Sequence, residues 1–328
     1  MTLKISRRQF GKAAAAVTAF SIVGSLPYSA QAKVRVKYAN GGSEKSNAVV
    51  FAKKLFAKIE ERTNGEVQFD VFAGTLGGEK TLIDGLALGT IDMATTAYTG
   101  TREFDIFYSP YMFRDAAHAG RVVNGALRKQ VSEVLEARYN AKFLGVARDG
   151  PFTLFTKEKI DSLADLKGKK IRAGQIEGII AGLQHVGARP TVVPFNEVYT
   201  SLQQGLVDGM VTLLNLGLVM KFNEVVKYVV RADWGIGLGK WTIASKVWEK
   251  FTPEQQQIVQ ATFDEMEPTD YYASVVKQLP LDYDNWEKAN GPDTVMLTPR
   301  PRKSSWHRSK RLANEVFGAG TWDLIQNS

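Results

Sequence analysis

The sequence contains no cysteine and only three histidines in 328 residues. Without cysteine there is no thiolate nucleophile, no disulfide and no cysteinyl metal site. The histidines, His118, His185 and His307, are widely separated and lack the spacing of metal ligands. The sequence also lacks a Gly-x-Ser-x-Gly nucleophile motif and a Gly-x-x-x-x-Gly-Lys-Ser/Thr phosphate loop. These absences argue against an enzyme, and they predict neither a metal nor a cofactor.

The charge pattern does not favour a nucleic-acid partner. The formal net charge of +8 falls to +4 without residues 1–32, which hold four basic side chains and no acidic one. Much of the remaining excess lies within residues 300–311, and elsewhere the charges alternate in sign as on solvated helix faces. A nucleic-acid binder would show a basic stripe with interleaved aromatic residues. We therefore expect no nucleic-acid partner.

The first 32 residues have the order of an export signal. A charged start with the pair Arg7 and Arg8 precedes an apolar run over 13–23, and Ala30 and Ala32 lie where a signal peptidase cleaves. The paired arginines predict a twin-arginine signal, with an amphipathic first helix as the alternative. No later stretch has enough consecutive apolar residues to span a bilayer. We therefore predict cleavage after Ala32 and a periplasmic mature protein.

The rest of the chain alternates strand and helix patterns twice. Strand patterns over 34–39, 67–71 and 89–94 are separated by helix patterns, and the rhythm restarts near residue 163. This rhythm is typical of parallel strands with helices on both faces. We predict an α/β fold with two lobes and a ligand cleft between them.

We expect the chain to cross between the two lobes more than once. A long polar-rich helix pattern covers residues 253–277, and we expect this helix to span both lobes. We assign residues 33–155 and 238–277 to lobe I, and residues 156–237 and 278–328 to lobe II.

The glycine-rich segment over 235–239 is superficially similar to a dinucleotide-binding loop. Its spacing is wrong for that motif, and no helix pattern follows it. We interpret the segment as a bending strand at a crossover between the lobes.

Arg172 is the residue that its local pattern singles out as a ligand contact. It ends a predicted strand, where the ligands of open α/β sheets bind, and its neighbours Ile171, Ala173 and Gly174 are uncharged. Arginine can bind a carboxylate with two parallel hydrogen bonds. The pattern alone does not distinguish this role from a surface salt bridge.

Several segments in register resemble the periplasmic receptors of TRAP (tripartite ATP-independent periplasmic) transporters, in particular the dicarboxylate-receptor-like (DctP) family. They include GKKIR at 168–172, PFNEVYTSLQQGLVDG at 194–209 and KFNEVVKY at 221–228. In the first half, the segments over 75–79 and 89–93 agree in order and spacing. The resemblance implies a receptor with the two-lobed α/β periplasmic binding protein fold, expected to be a monomer. It closes around a small organic acid and delivers it to a TRAP membrane permease.

The resemblance also implies roles for particular residues. The arginine that ends the GKKIR segment binds the ligand carboxylate in this family, which assigns that role to Arg172. Phe195 matches a phenylalanine that lines the pocket, and Thr212 stands where many members have asparagine. Asn40 matches a polar pocket position. Glu79 begins a helix, so it is either a pocket acceptor or a favourable charge on the helix dipole.

Four further candidates come from predicted strand ends. Tyr98 and Trp241 end strands, and Arg148 and Phe152 precede the crossover into the second lobe, although an aromatic at such a position is more often core. The second basic residue of sialic acid receptors is matched by Glu158, which argues against sialic acid.

These candidates suggest one cation, several aromatics and few other polar groups. Such a pocket favours a monocarboxylate or a small hydroxy- or keto-acid over a sugar acid. The exact ligand stays open, with a dicarboxylate or a sulfonate as alternatives. A sensor that presents its ligand to a membrane receptor, and a periplasmic enzyme, are the alternative functions.

Overall fold

The structure is a computed structural model that describes residues 33–97, 100–231, 235–297 and 306–328. The predicted export signal over 1–32 and the candidate Tyr98 lie outside the described residues. None of the helices in the described ranges combines the length and the apolar character that a membrane crossing requires.

The described residues form ten strands and a larger set of helices around them. The strands are Val34–Asn40 (β1), Val67–Ala73 (β2), Met93–Thr96 (β3), Ala141–Thr156 (β4), Lys170–Ala173 (β5), Arg189–Val192 (β6), Gly209–Leu213 (β7), Tyr228–Arg231 (β8), Ile236–Ala244 (β9) and Val295–Leu297 (β10). The helices are Asn47–Arg62 (α1), Glu79–Leu88 (α2), Arg102–Asp105 (α3), Ala116–Arg121 (α4), Arg128–Tyr139 (α5), Glu177–His185 (α6), Val198–Gln203 (α7), Leu214–Val219 (α8), Ser245–Trp248 (α9), Pro253–Met266 (α10), Ala273–Asn290 (α11), Trp306–Phe317 (α12) and Thr321–Asn327 (α13).

Strands β4 and β9 join two groups of parallel strands. The sheet order is β2-β1-β3-β9-β4-β7-β5-β6. In one group β1 pairs in parallel with β2 and β3, and in the other β5 pairs in parallel with β6 and β7. The 16-residue strand β4 runs antiparallel to β9 along its first part and then to β7 and β8. The two predicted β-α-β halves are therefore present, and they meet at this antiparallel crossover.

One helical stretch over 253–290 follows the crossover. Its start is fixed by a capping box, in which the Thr252 hydroxyl accepts from the Gln255 N–H and the Gln255 side chain accepts from the Thr252 N–H. The π-helical segment Glu267–Tyr272 separates α10 from α11. The predicted helix thus begins at Pro253, as expected, and extends beyond the predicted end to Asn290.

The core beside β1 and β9 is aromatic. Trp241 is fully buried and stacks on Tyr38 with ring centres 5.5 Å apart, and Phe51 from α1 lies edge-on at 5.6 Å. Such ring pairs add about 0.5–1.5 kcal/mol each to the free energy of unfolding, beyond the area they bury.

Lys240 of β9 is a buried cation outside this aromatic core. The side chain is fully buried, and its ammonium group has no hydrogen-bond partner among the described residues. It lies 5.4 Å from the ring centre of Phe104. Burial lowers the pKa of Lys240 to about 7, although the negative charges of Asp105 and Glu79 oppose the shift.

We expect Lys240→Met to stabilise the protein at pH 7. Because the ordinary lysine pKa is 10.5, the unfolded chain binds more protons than the folded one between pH 7 and 10.5. The wild-type free energy of unfolding should therefore rise with pH across this window, by up to about 1.4 kcal/mol per pH unit. Urea denaturation of both proteins at pH 7 and pH 9 measures the difference. We expect the difference in free energy of unfolding between Lys240→Met and wild type to be smaller at pH 9 than at pH 7. A difference that stays the same or grows would contradict the prediction.

Candidate ligand-binding site

A cavity of about 200 Å³ lies where the strand ends of the two parallel groups meet. Ligands of open α/β sheets bind at the carboxyl ends of the strands, and residues from the ends of β1, β3, β5 and β7 line this cavity. Six of the nine predicted candidates lie on its wall, which are Asn40, Glu79, Phe152, Arg172, Phe195 and Thr212.

Arg172 is the cation of this wall. It is only 6 % exposed, and its Nε donates to the carbonyl oxygen of Val193 at 3.0 Å. No ion pair with Arg172 occurs within the part of the chain that the structure describes. Burial lowers its pKa to about 10, and the negative charge of Glu79 opposes the shift, so the side chain is a cation at neutral pH. The Val193 contact uses one of five N–H donors, which leaves donors for an anion.

The other predicted wall residues are held by local contacts. The ring of Phe195 lies 5.7 Å from the guanidinium of Arg172. The Asn40 side chain donates to the Thr95 carbonyl at 3.1 Å and accepts from the Gly42 N–H at 2.8 Å. Glu79 is the first residue of α2, where its charge is favourable, and its Oε1 accepts from the Ala97 N–H at 2.6 Å. Its role as an acceptor for the ligand stays a prediction.

Asp149 also lines the cavity, and the sequence analysis did not select it. Along the β4–β9 ladder Arg148 is opposite Leu238 and Gly150 is opposite Gly237, so Asp149 is the extra residue of a β-bulge. A bulge shifts the alternation of side chains and re-aims the extra one. Asp149 and Phe152 therefore line the cavity, whereas Arg148 does not.

The Asp149 carboxyl group is buried and holds two hydrogen bonds. The Tyr271 hydroxyl donates to its Oδ1, and the Gly239 N–H also donates to the carboxyl group. Burial raises the pKa of Asp149 to about 7, and the two hydrogen bonds oppose this shift. The nearby carboxylates of Glu267 and Glu79 raise it further.

Two glycines of the 235–239 segment leave room for this bulge. A Cβ on Gly237 would lie 2.4 Å from a methyl carbon of Leu213 and 3.1 Å from the Cβ of Asp149. A Cβ on Gly239 would lie 3.1 Å from Asp149 Oδ2. The segment is a strand at the crossover, as predicted, and its glycines permit a close approach rather than bind a dinucleotide.

Two predicted candidates lie away from the cavity wall. Arg148 forms a buried two-pronged ion pair with Glu267, at 2.9 and 2.5 Å, and lies over the ring of Tyr272. Trp241 belongs to the aromatic core, because α1 covers β9 at that point. The structure therefore corrects the assignment of both residues to the pocket.

The wall is also more polar than the sequence suggested. Its further polar residues are Ser46, Asn47, Thr95, Thr96, Asp149, Asn196, Asn215 and Tyr271. Two buried acceptors among them, Asn215 Oδ1 and Thr96 Oγ1, have no hydrogen-bond partner among the described residues. The expectation of few polar groups is therefore wrong, and the preference for a small hydroxy- or keto-acid over a sugar acid loses the basis it had in that expectation.

Glu158 does not bear on the ligand. Its side chain is 77 % exposed and pairs with Lys169 at 2.5 Å, away from the cavity lining. Because Glu158 lies away from the cavity lining, its presence does not argue against sialic acid. Within the described ranges, no group of three or more His, Asp or Glu side chains is arranged to hold a metal ion.

A family model decides the classification of the chain. Residues 38–317 match the model of the bacterial extracellular solute-binding proteins, family 7. The chain belongs to this family. A family 7 relative, a solute-binding protein of Roseobacter denitrificans, is 30% identical over 252 residues, which are 76% of this chain and 77% of that protein.

One further relative of this family 7 chain is named for its ligand, and another was solved with a ligand bound. The 2,3-diketo-L-gulonate-binding periplasmic protein of Escherichia coli is 29% identical over 232 residues, which are 68% of this chain and 70% of that one. A TRAP periplasmic solute-binding protein of Desulfovibrio salexigens, solved with bound orotic acid, has a TM-score of 0.80 at 26% identity and covers 90% of this chain and 97% of its own. The predicted two-lobed α/β fold and the resemblance to TRAP receptors are confirmed.

Proposed function

We propose that this protein is the periplasmic receptor of a TRAP transporter, which captures a small organic acid and delivers it to the membrane permease. The observation that carries the proposal is Arg172, a buried cation without an ion-pair partner among the described residues, on the wall of a cavity at the strand ends. A buried charge is costly unless it is paired, so a carboxylate is the complementary occupant. The relatives that bind orotic acid and 2,3-diketo-L-gulonate support an acid ligand.

Capture follows from the arrangement of the wall. Arg172, Phe195 and Thr212 come from the second group of strands and its helices, whereas Asn40 and Glu79 come from the first. A ligand that contacts both groups binds the closed arrangement better than an open one, and this difference in affinity closes the lobes. We propose the crossover strands and the 253–290 helix as the connection between lobe I and lobe II.

The location and partners follow from the same proposal. We assign residues 1–32 as a twin-arginine export signal that is cleaved after Ala32, and the periplasm as the site of action. The mature receptor acts as a monomer and hands its ligand to TRAP permease subunits. The periplasmic relatives support this location. We propose no catalytic step and no cofactor.

Calorimetric titration tests whether the ligand is an acid. Carboxylic acids are titrated beside neutral counterparts, such as orotate beside uracil and D-erythronate beside erythritol. We expect at least one acid to bind one-to-one, and its neutral counterpart to bind about 30-fold more weakly or worse, because a charge partner is missing. Equal binding of an acid and its neutral counterpart would contradict the proposal, as would the failure of a broad acid panel to bind.

A further inference from the structure

Asp149 is a wall residue to which the proposed function gives no role. Its carboxyl group is fixed from two directions, by the Tyr271 hydroxyl from the π-helical segment and by the Gly239 N–H from β9. The β-bulge places it on the cavity wall that also contains Arg172. Bulges and π-helical segments both occur frequently at functional sites. Here the two irregularities meet at one side chain.

The charges near Asp149 are mostly negative. Glu79 faces it from α2, and Glu267 faces it from the π-helical segment, although Glu267 is paired with Arg148. The neutral hydroxyl groups of Tyr38 and Tyr108 also lie close enough to interact with it.

Cations near this end of the cavity are few. Lys240 of β9 is influenced by Asp105 and Glu79 and lies against Phe104, away from the wall. Arg172 is thus the one cationic side chain among the described residues of the cavity wall. Once a ligand carboxylate occupies Arg172, no second cation on that wall can neutralise another carboxylate.

The unpartnered acceptors indicate what the rest of the ligand carries. Asn215 Oδ1 is buried and needs a donor, which a ligand hydroxyl group supplies and a carboxylate does not, and the buried Thr96 hydroxyl can either donate to or accept from a ligand hydroxyl. The Asp149 carboxyl group can likewise accept from a ligand hydroxyl when ionised, or donate to it when protonated. When Asp149 is ionised, a second ligand carboxylate near it and Glu79 would instead be repelled in a site with little water.

Building on the proposed acid receptor, we propose that Asp149 determines specificity for the part of the ligand that does not contact Arg172. It hydrogen-bonds a hydroxyl group there and excludes a second carboxylate. The preferred ligands are therefore monocarboxylic acids that carry hydroxyl groups.

The same residue makes binding depend on pH. A bound anion disfavours a second negative charge nearby, so the complex holds the proton on Asp149 more tightly than the free protein does. The pKa of Asp149 in the free protein is about 7, and it rises when the anion binds. Affinity should therefore be constant at low pH and fall above pH 7, by up to about tenfold per pH unit, until the carboxyl group ionises in the complex as well.

Matched pairs of acids test the specificity. D-Erythronate and meso-tartrate differ only in a terminal hydroxymethyl group against a second carboxylate, and D-galactonate and galactarate differ in the same way. At pH 7.5 we expect the monocarboxylate of at least one pair to bind about tenfold more tightly or better, with little difference in Asp149→Asn. Asp149→Asn should also show a flat affinity between pH 6 and pH 8.5. Glu158→Gln, which neutralises an exposed carboxylate, is the matched control and should behave as wild type.

Tyr271→Phe separates the proton-linked role from a structural one. Removing the hydroxyl donor raises the pKa of Asp149, so the pH at which affinity begins to fall should move upward. Thermal melting of each variant checks that it is folded.

Several results would overturn the proposal while leaving the receptor function intact. The first is that wild type binds the dicarboxylate as tightly as the monocarboxylate or more tightly. The second is that the affinity of Asp149→Asn depends on pH as that of wild type does. The third is that the pH at which affinity begins to fall is unchanged or lower in folded Tyr271→Phe. Failure of every acid to bind, in wild type as in Arg172→Ala, would instead remove the receptor function itself.

Discussion

Arg172→Ala is expected to raise the dissociation constant of the acid ligand by about 30-fold to 4,000-fold, which corresponds to about 2–5 kcal/mol. The reason is that Arg172 is the cation of the cavity wall and is already desolvated in the folded protein. Its removal leaves the ligand carboxylate in a desolvated site without a partner of opposite charge. Calorimetric titration with the acid that binds wild type most tightly measures the change.

Arg172→Lys separates charge from geometry. Lysine keeps the positive charge but cannot form two parallel hydrogen bonds to a carboxylate, so we expect affinity between those of wild type and Arg172→Ala. Both variants should keep the wild-type melting temperature or exceed it, because they remove or reduce a buried charge that lacks an ion-pair partner among the described residues. Near-native affinity in folded Arg172→Ala would exclude Arg172 as the carboxylate contact.

Glu267→Ala is expected to lower the free energy of unfolding by about 3–5 kcal/mol. Glu267 is 4 % exposed and accepts from Arg148 through both carboxylate oxygens, and one oxygen also accepts from the Arg148 N–H at 3.0 Å. The substitution leaves the guanidinium of Arg148, itself 11 % exposed, without its counter-ion. It also removes one of the contacts between β4 and the π-helical segment. Urea denaturation measures the loss.

An exposed pair provides the control for this substitution. Lys80 and Asp84 are 65 % and 48 % exposed, so Asp84→Ala should change the unfolding free energy by only about 0–1 kcal/mol. Replacing both Arg148 and Glu267 by Met should recover much of the stability that Glu267→Ala loses, since no uncompensated buried charge remains. Equal losses in Glu267→Ala and Asp84→Ala would show that the buried pair does not stabilise the fold.

Much of the fold could be predicted from the sequence, because its signals are local. The alternation of strand and helix patterns predicted the two parallel groups, and the pattern that begins at Pro253 predicted the start of the long helix. The strand-end position of Arg172, together with the family resemblance, predicted that this residue would be the cationic group of the binding site. The lobe boundaries stay a prediction, since β4, β9 and the 253–290 helix connect the two groups.

The rest of the site depends on departures from regular geometry. Arg148 and Phe152 were selected because they precede the crossover, but the bulge at Asp149 changes which side chains of β4 face the cavity. Tyr271 reaches Asp149 from a π-helical segment, which a period of 3.6 residues does not describe. Trp241 lies further along β9 than Gly237 and Gly239, where helix α1 covers the strand and the cavity has ended. No short sequence pattern specifies these three placements.

A crystal structure of the protein with its tightest-binding acid tests the binding site most directly. We expect the ligand in the cavity at the strand ends, with its carboxylate within hydrogen-bond distance of the Arg172 guanidinium. An acid bound elsewhere, or one bound in the cavity with its carboxylate turned away from Arg172, would contradict the assignment.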